Sequence, residues 1–212
     1  YTSKAKHMAG FVNKFYSLGY NVLAADARAH GDSEGTKIGM GWPERFDVIE
    51  WIKLIISWDS NAQIILHGVS MGAATVLMAS GEELPENVKV IIADCGYTSE
   101  WDEFKCEANA LHIPWFPVLN AASVLSRLRD GYDFKQASAL EKVKQSRIPT
   151  LFIHGSDDEL VPYSMLDKLY SAAACEKECL TVNGAGHALS SSVEPELYWN
   201  TVESFIDKYL EK

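Results

Sequence analysis

One pentapeptide constrains this chain more than any other feature: Gly68-Val69-Ser70-Met71-Gly72. It follows a strand-like run, Ala62–Gly68 (AQIILHG), and opens a stretch of small and apolar residues, Ala73–Ala79 (AATVLMA), of helical character. A tight strand-to-helix turn holds its central serine in a strained conformation. Glycines two positions away on either side keep bulkier neighbours from colliding there. The hydroxyl then stands at the C-terminal edge of a sheet, beside a helix N-terminus whose free N–H groups stabilise negative charge. A serine in an ordinary Gly-rich turn would not carry these flanks.

The rest of the chain repeats the same alternation. Strand-like runs occur at Tyr20–Ala25 (YNVLAA), Val88–Ala93 (VKVIIA), Thr150–His154 (TLFIH) and Glu178–Val182 (ECLTV). Most are nearly continuous apolar stretches, as in parallel sheets covered on both faces. Between them lie apolar residues at helical spacing: Met8, Phe11, Phe15 and Leu18; Phe46, Ile49, Ile52 and Ile56 behind Pro43; Met165, Leu169 and Ala172; and Leu197, Val202, Phe205, Ile206 and Tyr209. The pattern predicts an α/β fold with a mostly parallel sheet flanked by helices. Residues 1–212 read as one domain. Residues 99–134 break the rhythm, being too long for an ordinary connection. They hold Trp101, Phe104, Leu111, Trp115, Phe116 and Leu119, with Pro114 and Pro117 as breakers, and are expected to form a small helical cap.

Composition excludes several alternatives. Nineteen Lys and Arg against 29 Asp and Glu give a net charge of −10, the wrong sign for binding a nucleic-acid backbone or an anionic lipid surface through a basic face. Four cysteines are too few for a disulfide scaffold, and the one close pair, Cys175 and Cys179, lacks the second half of a zinc site. No glycine-rich nucleotide loop or HExxH motif is present, so neither a cofactor nor a metal is implied.

A serine of ordinary pKa needs a base and an acid that orients it. Past Ser70 the histidines are His112, His154 and His187. His187 ends Gly184-Ala185-Gly186-His187, just after the last strand, in a loop able to carry an imidazole over the serine. His154 at a strand end reads as structural, and His112 lies in the insertion. Asp94, Asp157 and Asp158 all follow strands, and position alone does not separate them.

Two further runs carry a resemblance. His154-Gly155-Ser156-Asp157-Asp158-Glu159-Leu160-Val161-Pro162 and Asp26-Ala27-Arg28-Ala29-His30-Gly31-Asp32-Ser33 resemble segments of the α/β-hydrolase superfamily. The likeness is to its serine-hydrolase branch, near the bacterial cell-surface hydrolases and serine-aminopeptidase-like groups, and it extends over nearly the whole chain. The resemblance implies Ser70 as nucleophile, Asp158 as triad acid and His187 as base. It also implies an oxyanion hole from the Met71 N–H and a second donor at or beside Tyr1. Asp157 becomes a turn residue, and Asp26, Arg28 and Ser33 become braces of a structural loop, with Ala29 where the family usually has glycine. The implied reaction is hydrolysis of a carboxylic ester, with peptide cleavage or an inactive module as alternatives. The partner would be a small acyl substrate, and Trp101, Trp115 and Phe116 of the cap are candidates to line its pocket. The superfamily sheet has eight strands, and the five runs here match its fourth to eighth. Its third strand lies between the fourth and fifth, so the first strands are missing from this stretch. An upstream segment or a second chain is expected to fill the vacant lane.

Overall fold

The computed structural model describes residues 1–210. Its contacts divide the chain into two compact units, residues 1–39 and residues 40–212.

In the first unit a 3-10 turn, Ala5–Met8, leads into α1 (Ala9–Ser17), which buries Phe15. Tyr20–Ala25 does not become a strand, contrary to its composition. Apolar β-formers make a strand only when a neighbour accepts the ladder, and this segment leaves Val22 and Leu23 each 38% exposed. Asp26 organises the loop that follows. Its carboxylate accepts the N–H groups of Ala5 (2.6 Å) and Asp32 (2.9 Å), which hold its pKa below the ordinary value, and its carbonyl accepts the Ser33 hydroxyl (2.7 Å). His30 Nδ1–H donates to the Arg28 carbonyl (2.9 Å), leaving Nε2 to accept the Thr2 N–H (3.1 Å). Ala29 sits at φ +58, the left-handed region that explains why glycine is usual there.

The second unit runs α2 (Glu44–Trp58), β1 (Ile64–Val69), α3 (Met71–Ala79), β2 (Val88–Asp94), α4 (Glu100–Ala110), α5 (Trp115–Asp130), α6 (Ala139–Val143), β3 (Thr150–Gly155), α7 (Ser164–Ala172), β4 (Lys177–Val182), α8 (Ser190–Val193) and α9 (Pro195–Ile206). The four strands are all parallel in the order β1-β2-β3-β4. Pro43 caps α2 and acidic Glu44 and Asp47 fill its first turn, where the helix dipole favours them. Of the apolar residues expected to bury this helix only Ile52 is fully covered. Phe46 is 49% exposed, and Glu44 and Arg45 are buried instead. Arg45 Nε pairs with Glu82 (2.8 Å) while its guanidinium lies over the Trp42 ring (3.5 Å).

Helix α3 is the centre of the core. Ala73, Ala74, Leu77, Met78 and Ala79 have no exposed surface, as expected of a helix apolar all round. Helices α2, α3, α6 and α7 pack in succession, and α9 covers β4 with Val202, Phe205 and Ile206. Burial of side chains of this size contributes roughly 1.5–3 kcal/mol each. The insertion is α4 and α5, closed at its base by a bridge between Ser99 and Ser138 and by bonds from Glu100 N–H to Ala137 (2.9 Å) and Trp101 N–H to Phe134 (3.1 Å).

Candidate active site

Ser70 joins β1 to α3 at φ 56, ψ −118, a conformation that costs an L residue on the order of 1–3 kcal/mol. The turn closes because Gly68 lacks a side chain: a Cβ there would lie 2.3 Å from the Gly72 carbonyl carbon. Gly72 itself is different, since a Cβ at that position would meet nothing within 4 Å. Only the first glycine is demanded by contact. The Ser70 N–H donates to the Asp94 carbonyl (2.8 Å), which continues the β1–β2 ladder into the turn.

Loops after β3 and β4 meet above this serine. Gly155 approaches so closely that a Cβ would lie 2.1 Å from the Ala185 carbonyl oxygen. The Ser156 and Asp157 N–H groups donate to Val182 and Ala185, each at 3.0 Å, and the Ser156 hydroxyl accepts the Gly184 N–H at 2.8 Å. The two loops are thereby clamped, one carrying Asp158 and the other His187.

His187 Nε2 lies 2.8 Å from Ser70 Oγ, and His187 Nδ1 lies 2.8 Å from Asp158 Oδ2. With the ring proton on Nδ1, Nε2 is free to accept the serine proton. The other Asp158 oxygen accepts the N–H groups of Leu160 (3.0 Å) and Val161 (2.9 Å). His154 Nε2 donates to the Val161 carbonyl (2.9 Å) and stands 3.3 Å from Asp158 Oδ2. Burial would raise the Asp158 pKa, but the hydrogen bonds from His154, His187 and the Val161 N–H outweigh it and hold the carboxyl well below the usual carboxylate range.

The other candidates fall elsewhere. Asp157 is exposed and accepts only its neighbour's Ser156 hydroxyl (2.6 Å) among the bonds of its side chain. Asp94 is fully buried, and neither of its carboxyl oxygens has a partner at bonding distance. Burial pushes its pKa up to about 6, with the Tyr198 and Ser190 hydroxyls beside it offsetting only part of the cost. The Met71 N–H is in the first turn of α3, next to Ser70. Tyr1 belongs to the first unit, 63% exposed, its ring edge-on to His30 at 6.3 Å. In the cap, Trp101 and Trp115 are half-buried and meet edge to face at 6.4 Å, while Phe116 is 66% exposed. A wholly apolar cleft of about 250 Å³ lies between α4 and α5, lined by Phe104, Ile113, Trp115, Val118, Leu119 and Phe134. Trp115 lines it; Trp101 and Phe116 do not.

Two residues beside Ser70, Asp158 and His187 carried no signal in the sequence. His154 reads as a packing residue at a strand end, yet it supports the acid. Cys95 reads as a small buried apolar residue, yet its Sγ lies within 4.8 Å of ligand atoms of Asp158 and His187. All four cysteines are free thiols.

A parallel sheet with a strained serine after one strand, an acid after another and a histidine after a third defines an α/β-hydrolase. Esterase Pf2001 of Pyrococcus furiosus shares the fold, with a TM-score of 0.78 and 23% identity, covering 99% of this chain and 80% of that one. So does the monoacylglycerol lipase of Paleococcus ferrophilus, with a TM-score of 0.67 and 17% identity, covering 97% and 91%. Residues 12–212 match the sequence model of the prolyl oligopeptidase family, and the chain belongs to that family. Bacillus subtilis YqkD, an uncharacterized protein, is 31% identical over 199 residues, which are 93% of this chain and 65% of that protein. The lysophosphatidylserine lipase ABHD12 of Macaca fascicularis is 30% identical over 174 residues, 82% of this chain and 43% of that one. The chain spans less than two thirds of the length of either relative.

Proposed function

We propose that this protein is a serine hydrolase that cleaves carboxylic esters through an acyl-enzyme. The observation that carries the reading is the unbroken hydrogen-bonded line from Asp158 through His187 to Ser70, 2.8 Å at each step. Ser70 Oγ attacks the ester carbonyl as His187 Nε2 takes its proton. Asp158 keeps the remaining ring proton on Nδ1 and stabilises the imidazolium. The oxyanion forms beside α3, where the Met71 N–H supplies one donor. His187 then protonates the leaving alcohol, and a water repeats the sequence to free the acid. An ester with an apolar acyl or alcohol portion suits the apolar cleft of the cap, with Trp115, which lines it, as the candidate to shape that choice.

The family's name favours a second reading, a peptidase that holds a substrate amine on a carboxylate of α4, where Asp102 and Glu107 are half-buried and Glu100 and Glu103 are buried. A fluorophosphonate probe should label Ser70, and short acyl p-nitrophenyl esters should turn over faster than aminoacyl amides. The opposite rate order would favour the peptidase. No labelling of Ser70 would remove both readings.

A further inference from the structure

The thiol of Cys95 takes no part in the proton path from Ser70 to Asp158, yet it lies against it. Cys95 directly follows β2, is fully buried and is held at φ +49, a left-handed backbone that non-glycine residues rarely adopt. Its Sγ, a ring nitrogen of His187 and a carboxylate oxygen of Asp158 all lie within 4.8 Å of one another. The ends of three neighbouring strands bring them together: β2 delivers the thiol, the loop after β3 the carboxylate and the loop after β4 the imidazole.

We propose that this trio is a binding site for a soft divalent cation such as zinc, and that occupancy switches the hydrolase off. The second half rests on the catalytic roles proposed above; the first half does not.

The donor set is one that zinc and cadmium favour, a thiolate with an imidazole and a carboxylate. Zinc–ligand bonds of about 2.0–2.3 Å in a tetrahedron set the donors roughly 3.3–3.6 Å apart. The His187 Nδ1–Asp158 Oδ2 pair, at 2.8 Å, is already closer than that and has to part slightly, while the thiol, within 4.8 Å, has to come about an ångström nearer. Charge also matches. A thiolate and a carboxylate neutralise a divalent ion, so the occupied site is uncharged, which lowers the cost of its burial. A coordinating thiol gives up its proton, which leaves to solvent, and Asp158 needs no deprotonation. The His187 side chain is 21% exposed and gives the ion its entry, while the fourth position is open to water or to Ser70 Oγ.

Inhibition follows whichever ring nitrogen the ion takes. At Nε2 the ion occupies the lone pair that must accept the serine proton. At Nδ1 the ion displaces the proton to Nε2, which becomes a donor and can no longer act as base. No redox step and no co-reactant are involved, and chelation restores the free triad.

Binding and inhibition are measured separately. In the Ser70→Ala protein with Cys106, Cys175 and Cys179 changed to Ser, cadmium should produce one equivalent of thiolate-to-metal charge-transfer absorption. That band should vanish on adding Cys95→Ser or Cys95→Ala. Zinc-edge X-ray absorption on the same Ser70→Ala parent needs no change at Cys95, and should show one sulfur ligand with nitrogen and oxygen neighbours. A zinc shell without sulfur, or a band that persists in both folded Cys95 variants, overturns the site. In the protein with Ser70 intact, zinc should inhibit ester hydrolysis reversibly, and Cys95→Ser should raise the inhibition constant by at least about tenfold relative to that variant's own uninhibited rate. Binding without inhibition would keep the site and overturn the switch. A protein that binds cadmium but hydrolyses no ester would instead fault the catalytic reading.

Discussion

Asp94 ends β2 and Asp158 follows β3 by three residues, and both carboxyl groups are buried at the same edge of the sheet. One is surrounded by donors: two backbone N–H groups on Oδ1 and the imidazoles of His187 and His154 at Oδ2. The other has none at bonding distance. Burial raises the pKa of both, and only the donors reverse it, so Asp158 is held low while Asp94 rises to about 6. Strand position and burial therefore do not by themselves set the charge of a carboxyl group at this edge. What distinguishes Asp158 is the turn behind it, Leu160 and Val161, which presents two N–H groups to one oxygen and leaves the other for His187. Glu100 and Glu103 of α4 extend the Asp94 pattern. Each is 3% exposed with an unpartnered oxygen, and burial, with neighbouring acids, pushes each pKa up to about 8.

The largest effect expected is from removing the proposed nucleophile, Ser70. Ser70→Ala should lower ester turnover by more than about 10³-fold with little change in melting temperature, because a half-buried turn hydroxyl adds little packing. Residual turnover above that level would place the nucleophile elsewhere. Next, Asp158→Asn should cost on the order of 10⁴ in kcat by releasing the wrong imidazole tautomer, whereas Asp94→Asn and Asp157→Asn should stay within about tenfold of wild type. If Asp94→Asn proved the more damaging, the two aspartates would have exchanged roles.

The stability predictions follow from the raised group. A carboxyl whose folded pKa lies above its unfolded value favours the fold at low pH, and that contribution disappears as pH rises through the folded pKa. For Glu100 and Glu103 the window runs from 4.5 to about 8. Glu100→Gln and Glu103→Gln should therefore stabilise the protein at pH 8 by on the order of 1 kcal/mol each, and by much less at pH 5. Denaturant titrations at the two pH values measure this, and equal effects at both would mean the acids are not buried as described. Smallest is Asp94, whose window runs from 3.8 to about 6. Its change to Asn should flatten the melting-temperature profile across that range, with the two profiles meeting below it and the variant running higher, in parallel, above it. An unchanged slope would show that other groups set it.

Most of the sheet was legible in the sequence, because parallel strands buried on both faces are apolar throughout. Ala62–Gly68, Val88–Ala93, Thr150–His154 and Glu178–Val182 became β1 to β4 with their ends shifted by at most two residues. Tyr20–Ala25 was not, since its composition matches the others and only a paired neighbour makes a strand. The nucleophile turn announced itself through its glycines, although only Gly68 is required by contact. Asp158 was separable from Asp94 and Asp157 only by resemblance, because hydrogen-bond satisfaction is a property of three-dimensional surroundings. His154 and Cys95 gave no signal for the same reason. A histidine at a strand end and a cysteine beside a buried run look like ordinary packing until their neighbours are known.

The bridge between Ser99 and Ser138 has a consequence for how such a protein can diversify. Because the two ends of the insertion meet, the sheet is indifferent to what lies between them. Lengthening a closed loop costs only about 0.6 kcal/mol per doubling. The insertion of residues 99–134 is in that sense a cassette, open to exchange for longer, shorter or differently lined pieces while β2, β3 and the residues at their tips keep their places. Selection on substrate choice and selection on the integrity of the fold then act on separate stretches of the same chain, and neither has to wait for the other.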